Sequence, residues 1–187
     1  MKTIGLIGGM SWESTANYYQ IINREVKARG ADFILICTNT MHKVADQIQQ
    51  AVNVPLVHIA DATAEQLVMD GIKKVGLLGT RFTMEQDFYK QRLIDKFGVD
   101  VVVPSSDDQT IVHDVIYNEL CKGEVHDDSR QHYLTIIEKL VEQGAEAVIL
   151  GCTEIAMLVE SQHTDVKLYD TTEIHAKAAV EKALDSK

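Results

Sequence analysis

Three apolar segments of this chain occur twice, in the same order. Gly5-Leu6-Ile7-Gly8-Gly9 returns as Gly76-Leu77-Leu78-Gly79-Thr80, and Ile34-Leu35-Ile36-Cys37-Thr38-Asn39 as Val148-Ile149-Leu150-Gly151-Cys152-Thr153-Glu154. Val57-His58-Ile59-Ala60-Asp61-Ala62 returns as Leu168-Tyr169-Asp170-Thr171-Thr172-Glu173. The run Phe33–Cys37 lacks polar alternation, as a strand reads when helices cover both faces of its sheet. Helical periodicity fills the intervals. Tyr19, Ile22 and Val26 share a face after Ser14 or Thr15 and before Gly30. Further helices are predicted over His42–Val52, Ala62–Met69, around Tyr89, Leu93 and Phe97, near Gln109–Cys121, over Asp128–Gln143 and over Thr172–Leu184. Parallel α/β units tend to look alike, but three ordered matches favour duplication. The expected fold is α/β, with two pseudo-symmetric lobes, each a parallel sheet flanked by helices. The active site is then expected in the cleft between them, at the carboxyl ends of the strands. Residues 1–70 plus 168–187 are expected to form the first lobe and 71–167 the second.

The repeat is uneven. From Gly8 to Cys37 is 29 residues, and from Gly79 to Cys152 is 73, so the first half is shorter by roughly one strand–helix unit. At Arg29-Gly30-Ala31-Asp32 a helix runs into a strand through a single glycine. The first lobe is therefore expected to lack a unit between residues 30 and 31.

The 187 residues suffice for two small lobes, and a net charge of −10 excludes nucleic acid and an anionic membrane surface as favoured partners. No purely apolar run exceeds five residues, far short of a membrane span. The opening residues read as a strand ending at glycines rather than as a signal peptide, and the expected location is cytoplasmic. A homodimer is left open. Gly5, Gly8 and Gly9 do not form a dinucleotide fingerprint, and the seven histidines show no metal-ligand spacing.

Three cysteines, Cys37, Cys121 and Cys152, cannot all pair within one chain, and none lies in a C-x-x-C motif. Cys37 and Cys152 each end an apolar strand and precede Thr and a helix start. A helix N-terminus favours the thiolate and can hold a carboxylate through its N–H groups, helped by Thr38, Asn39, Thr40 and Thr153. A Cys–His hydrolase gives no reason for two matched cysteines. Two thiols across a carboxylate site suit proton exchange at a stereocentre, one removing the α-proton and the other supplying a proton to the opposite face. No pyridoxal-phosphate lysine motif is evident, so desolvation and aimed donors would have to stabilise the carbanion. Cys121 has no echo and reads as structural. Tyr117 reads as core, His42 with Asp46 as a solvated helix face, and His175 as a surface or capping residue. Thr80, which replaces Gly9 in the second copy, reads equally as a cap and as a hydroxyl facing the cleft.

These residues resemble a known family. Ile34-Leu35-Ile36-Cys37-Thr38-Asn39-Thr40-Met41-His42 and Val148-Ile149-Leu150-Gly151-Cys152-Thr153-Glu154-Ile155 look like the two signatures of the cofactor-independent aspartate/glutamate racemases. Gly5-Leu6-Ile7-Gly8-Gly9-Met10-Ser11-Trp12-Glu13-Ser14 looks like their opening, close to the broad-specificity amino-acid branch. The resemblance implies a small amino-acid substrate, no cofactor, Cys37 and Cys152 as the two bases, and substrate contacts from Met10, Thr38, Asn39, Thr40, Thr153 and Glu154. The missing unit, and the lack of a distal-site lysine near Cys121-Lys122, depart from the family pattern and touch side-chain specificity. Hydantoin racemisation, maleate isomerisation and small-molecule binding by an inactive paralogue remain the alternatives.

Overall fold

The computed structural model describes residues 4–7 and 31–184. Two parallel sheets form the frame. The first joins β1 (Ile4–Ile7), β2 (Phe33–Ile36) and β3 (Leu56–Val57) in the order β1-β2-β3. The second joins β4 (Lys74–Gly79), β5 (Asp100–Val102), β6 (Ala147–Gly151) and β7 (Lys167–Asp170) in the order β5-β4-β6-β7. All strand pairs in both sheets are parallel. The non-alternating run that reads as a fully covered strand is so: every residue of β2 is buried, as is every residue of β6.

Between the strands lie α1 (Ala45–Ala51), which follows a 3-10 turn over Thr40–Val44, and α2 (Ile59–Met69). The second half carries α3 (Arg81–Glu85), α4 (Asp87–Phe97), α5 (Ser106–Asn118), α6 (Asp127–Glu142), α7 (Ile155–Leu158) and α8 (Thr171–Leu184). Met10 and the helix read between Ser14 and Gly30 lie outside the described residues. The α5 helix starts three residues before the expected Gln109, because the Ser105 side chain accepts from the Asp108 N–H and caps it there.

The duplication fixes structural equivalences. Gly5 pairs with Ile34 and Gly76 with Val148, so β1 matches β4 and β2 matches β6. β3 then matches β7, and β5 has no counterpart among the described residues.

The lobe boundaries differ from those expected. β7 pairs with β6, so residues 168–170 belong to the second sheet and not to the first lobe. The helices after β3 and β7 are exchanged. Ile59, Ala60, Ala64 and Leu67 of α2 pack with Val75, Leu77 and Ile149 of the second sheet. Ala179 and Ala183 of α8 pack on Phe33 and Leu35 of the first. Apolar burial decides this, since each helix carries a stripe that its own sheet does not cover. The swap ties the lobes together and sets the cleft between them.

Candidate active site

The carboxyl ends of β2 and β6 face a common cavity of about 240 Å³. Cys37, Thr38, Asn39 and Thr40 line it from the first lobe; Thr80, Gly151, Cys152, Thr153 and Glu154 line it from the second. Of the site residues expected from the sequence, Met10 alone lies outside the described residues. The volume suits a compact amino acid rather than a dinucleotide, since drug-sized ligands occupy roughly 300–1,000 Å³. Tyr117 and Cys121 also line the cavity, and both are exposed. Neither has the core or structural role read from the sequence. The turn from α5 into a short 3-10 segment over Leu120–Lys122 carries Cys121 to the rim, a tertiary placement that no local periodicity announces.

The strand register offsets the two cysteines. With Ile34 matched to Val148, Ile36 falls on Leu150, Cys37 on Gly151 and Thr38 on Cys152. The third strand supports this count. Val57 then matches Tyr169 and His58 matches Asp170, and each of the latter two accepts a hydrogen bond from the N–H two residues on. Ala60 N–H donates to His58 Nδ1 at 3.2 Å, and Thr172 N–H to Asp170 Oδ1 at 2.8 Å. The cysteines therefore share the cavity without sharing an equivalent position. Gly151 is glycine for a packing reason: a Cβ there would lie 2.7 Å from the Leu78 carbonyl. No such restriction keeps a side chain from position 37.

Hydrogen bonds lock the two walls to each other. Asn39 Nδ2 donates to Thr171 Oγ1 at 3.0 Å, and that hydroxyl donates to the Leu150 carbonyl at 2.9 Å. A hydroxyl that spends its proton on a carbonyl must accept from Asn39, which fixes the amide orientation and leaves Asn39 Oδ1 buried without a described donor. Thr40 Oγ1 lies 3.1 Å from Thr80 Oγ1. Thr80 meets both of its expectations, since it faces the cavity and also caps α3 through the Thr83 N–H.

Electrostatics at Cys152 run against the expected thiolate. Burial pushes the thiol's pKa well above its ordinary value, and the Glu154 carboxylate, which accepts the thiol proton at 2.9 Å, adds to the effect. The following helix, α7, has only four residues and does not reverse this. Glu154 also accepts from Thr153 Oγ1 at 2.6 Å, and these two donors hold its carboxyl below the usual range although burial opposes them. Cys152 thus sits in the cavity as a thiol, beside a carboxylate.

His42 is not solvated and His175 is not on the surface. Both are buried, and with His58 they form a cluster behind the first cysteine loop, at ring-centroid distances from His42 of 4.3 Å to His58 and 5.9 Å to His175. Sequence reasoning missed it because its members come from three separate segments. No group of three His, Cys, Asp or Glu side chains among the described residues is arranged to hold a metal ion, and no described helix is long and apolar enough to cross a membrane.

Comparison with known proteins decides the family. The sequence profile of the Asp/Glu/hydantoin racemases matches residues 24–179. This chain belongs to that family of racemases. A Yersinia pestis protein described as a candidate Asp/Glu racemase superimposes with a TM-score of 0.85 at 44% identity, covering 99% of this chain and 100% of the other. An aspartate racemase homologue from Pyrococcus horikoshii OT3 gives 0.82 at 34% identity, over 92% of this chain and 76% of that one. The broad specificity amino-acid racemase RacX of Bacillus subtilis (strain 168) is 28% identical over 165 residues, 86% of this chain and 69% of RacX. The chain spans 57% of the glutamate racemase of Aquifex pyrophilus. The two-lobed α/β frame is that of the racemase family's solved structures.

Proposed function

We propose that the chain is a cofactor-independent racemase of acidic amino acids, exchanging the α-proton between two protein groups on opposite sides of one cavity. The observation that carries this is the single cavity onto which both signature loops open, with Cys37 and Thr38 on one wall and Cys152 on the other. One group takes the α-hydrogen as a proton, and the C–H electron pair stays on the α-carbon, spread into the carboxylate. The other group gives its proton to the opposite face. No electrons are gained or lost, and the two groups end with their protonation states exchanged. N–H and hydroxyl donors of the Thr38–Thr40 loop and Thr153 suit the substrate carboxylate. The Glu154 carboxylate and the buried Asn39 Oδ1 suit its ammonium group.

Cys152 is one base. The chemistry of the side chains names Cys37 as the other, because a thiol ionises far more readily than an alcohol. The strand register favours a second reading, in which the Thr38 hydroxyl stands opposite Cys152. The test is deuterium exchange from D2O into the α-position of aspartate, glutamate and neutral amino acids, followed by NMR on reduced protein. Exchange with acidic substrates, without added cofactor, is expected. With 5-substituted hydantoins assayed in parallel, exchange confined to them would move the activity to that branch, and exchange with none of these compounds would leave a small-molecule-binding role.

A further inference from the structure

We propose that His42 is a positioning residue: it latches the loop carrying Cys37, Thr38 and Asn39 to the start of α2, and only the neutral imidazole protonated on Nδ1 can do so. The effect on rate rests on the racemase reading above; the latch itself does not.

The hydrogen-bond partners dictate this protonation state. His42 Nδ1 lies 2.8 Å from the Thr38 carbonyl oxygen, and the Ile59 N–H reaches His42 Nε2 at 3.1 Å. A backbone N–H can only donate, so Nε2 must present its lone pair. A carbonyl can only accept, so the ring proton must sit on Nδ1. The Ile59 N–H is also one of the orphan donors at the first turn of α2, and His42 supplies its acceptor. One neutral ring therefore satisfies two buried backbone groups from different segments. An imidazolium would set an N–H against the Ile59 N–H and break the contact on that side.

The surroundings keep the ring neutral. It is faced by His58 just before α2, by Arg92 from α4 and by His175 from α8; Asp61 and Lys96 act on His58 beside it, and Lys43 and Asp46 lie on its own segment. Burial is the largest influence and lowers its pKa well below the ordinary value. His58, His175 and Arg92 lower it further, and only the Thr38 carbonyl acts the other way. The neighbouring rings are themselves held, His58 by the Ala60 N–H and His175 Nε2 by the Val57 carbonyl at 2.8 Å, so His42 has little room to rotate.

The latch acts at the right place. The Thr38 carbonyl lies between the two side chains that can oppose Cys152 and the Asn39 side chain that bridges to the second lobe through Thr171. A misplacement of about 1 Å at a reacting group can lower a rate on the order of 100-fold.

Two measurements test the proposal on the full chain. In protein with 15N-labelled histidine, His42 is expected to show the Nδ1–H form unchanged from pH 8 to 6. An Nε2–H form or an imidazolium at pH 7 overturns the latch, whatever the activity. Second, His42→Asn retains a donor toward Thr38 but not the acceptor for Ile59, whereas His42→Leu retains neither. Per folded molecule, kcat for α-proton exchange is expected to fall on the order of 100-fold in His42→Leu and clearly less in His42→Asn, with KM little changed. Equal rates in the two variants, or a wild-type kcat in folded His42→Leu, overturn the positioning role. Absence of exchange in the wild-type protein defeats the racemase reading instead, and the ring spectra then still decide the latch.

Discussion

The Cys152 thiol donates to the Glu154 carboxylate across 2.9 Å, and the bond opposes the ionisation that a base at this position needs. Burial is the larger reason why the thiol is held up, and the neighbouring charge is the part that a single substitution can remove. Glu154→Gln is therefore expected to lower the Cys152 pKa and to speed its alkylation by iodoacetamide about ten-fold at pH 8. The assay is peptide mapping of alkylated cysteines over time, with an added free thiol such as N-acetylcysteine as the reference, since the Glu154 charge also raises Cys121. An unchanged Cys152 rate would show that burial alone sets its protonation. A substrate ammonium that draws Glu154 away would act in the same direction as the substitution, so thiolate formation can be coupled to binding.

The opposing base is decided by two substitutions. Cys152→Ala is expected to abolish α-proton exchange in either reading. If Cys37 is the partner, Cys37→Ala lowers exchange by about 10³-fold or more and Thr38→Val much less. If the register prevails, the order inverts. Both residues follow the buried strand β2 and line the cavity, so neither change removes core packing, and circular dichroism of both variants should match the parent.

How much of this was legible beforehand follows from which forces act locally. The strands and their parallel order were readable because a covered strand needs an uninterrupted aliphatic run, as in Phe33–Ile36 and Ala147–Leu150. The convergence of Cys37, Thr38, Thr40, Thr80, Cys152 and Glu154 followed from the same repeat, since equivalent strand ends must meet when two such lobes face each other. The one-residue offset did not follow. Matching Cys37 to Cys152 by chemical type conflicts with the backbone register, which is set by inter-strand hydrogen bonds that the side chains do not reveal. Nor did the helix exchange, because α2 and α8 carry apolar stripes whose destination is a tertiary matter. His42 read as solvated because Asp46 shares its face; its burial comes from His58 and His175, distant in sequence.

Gly151 carries a prediction about stability. A Cβ at this position would lie 2.7 Å from the Leu78 carbonyl and 2.9 Å from Leu77 Cδ1, and the nearer contact is backbone that cannot swing aside. Gly151→Ala must push β6 away from β4, next to Cys152. A loss of about 1–3 kcal/mol in urea unfolding is expected, together with reduced exchange activity. Gly98→Ala is the control. Its φ of +67° brings strain, but nothing lies within 4 Å of the added atom and the site is remote, so activity per folded molecule should persist.

The buried histidines make stability depend on pH in a definite window. Burial, followed by the Arg92 charge, lowers His58 to about 3, and His42 and His175 are also lowered, chiefly by burial. Below the ordinary value of about 6.5 the unfolded chain binds protons at these rings while the native chain does not, so stability rises with pH and is lost on acidification. His58, lowered to about 3, contributes about 1.4 kcal/mol per pH unit once well below the ordinary value, so going from pH 7 to 5.5 should remove about 1 kcal/mol through this ring alone, and His42 and His175 act in the same direction. The carboxylates act lower: Asp70, held at about 2 chiefly by the hydrogen bond from Lys167, matters only below the ordinary carboxylate range. The window between pH 6.5 and 4.5 therefore belongs to the histidines. Urea unfolding across it should show uptake of at least one proton per molecule, from His58, with His42 and His175 adding to it. His58→Asn leaves an acceptor for the Ala60 N–H and removes one titrating ring, so uptake should fall by about one proton while the cap of α2 persists. Unchanged uptake in that variant would mean that His58 carries its proton in the native state at these pH values.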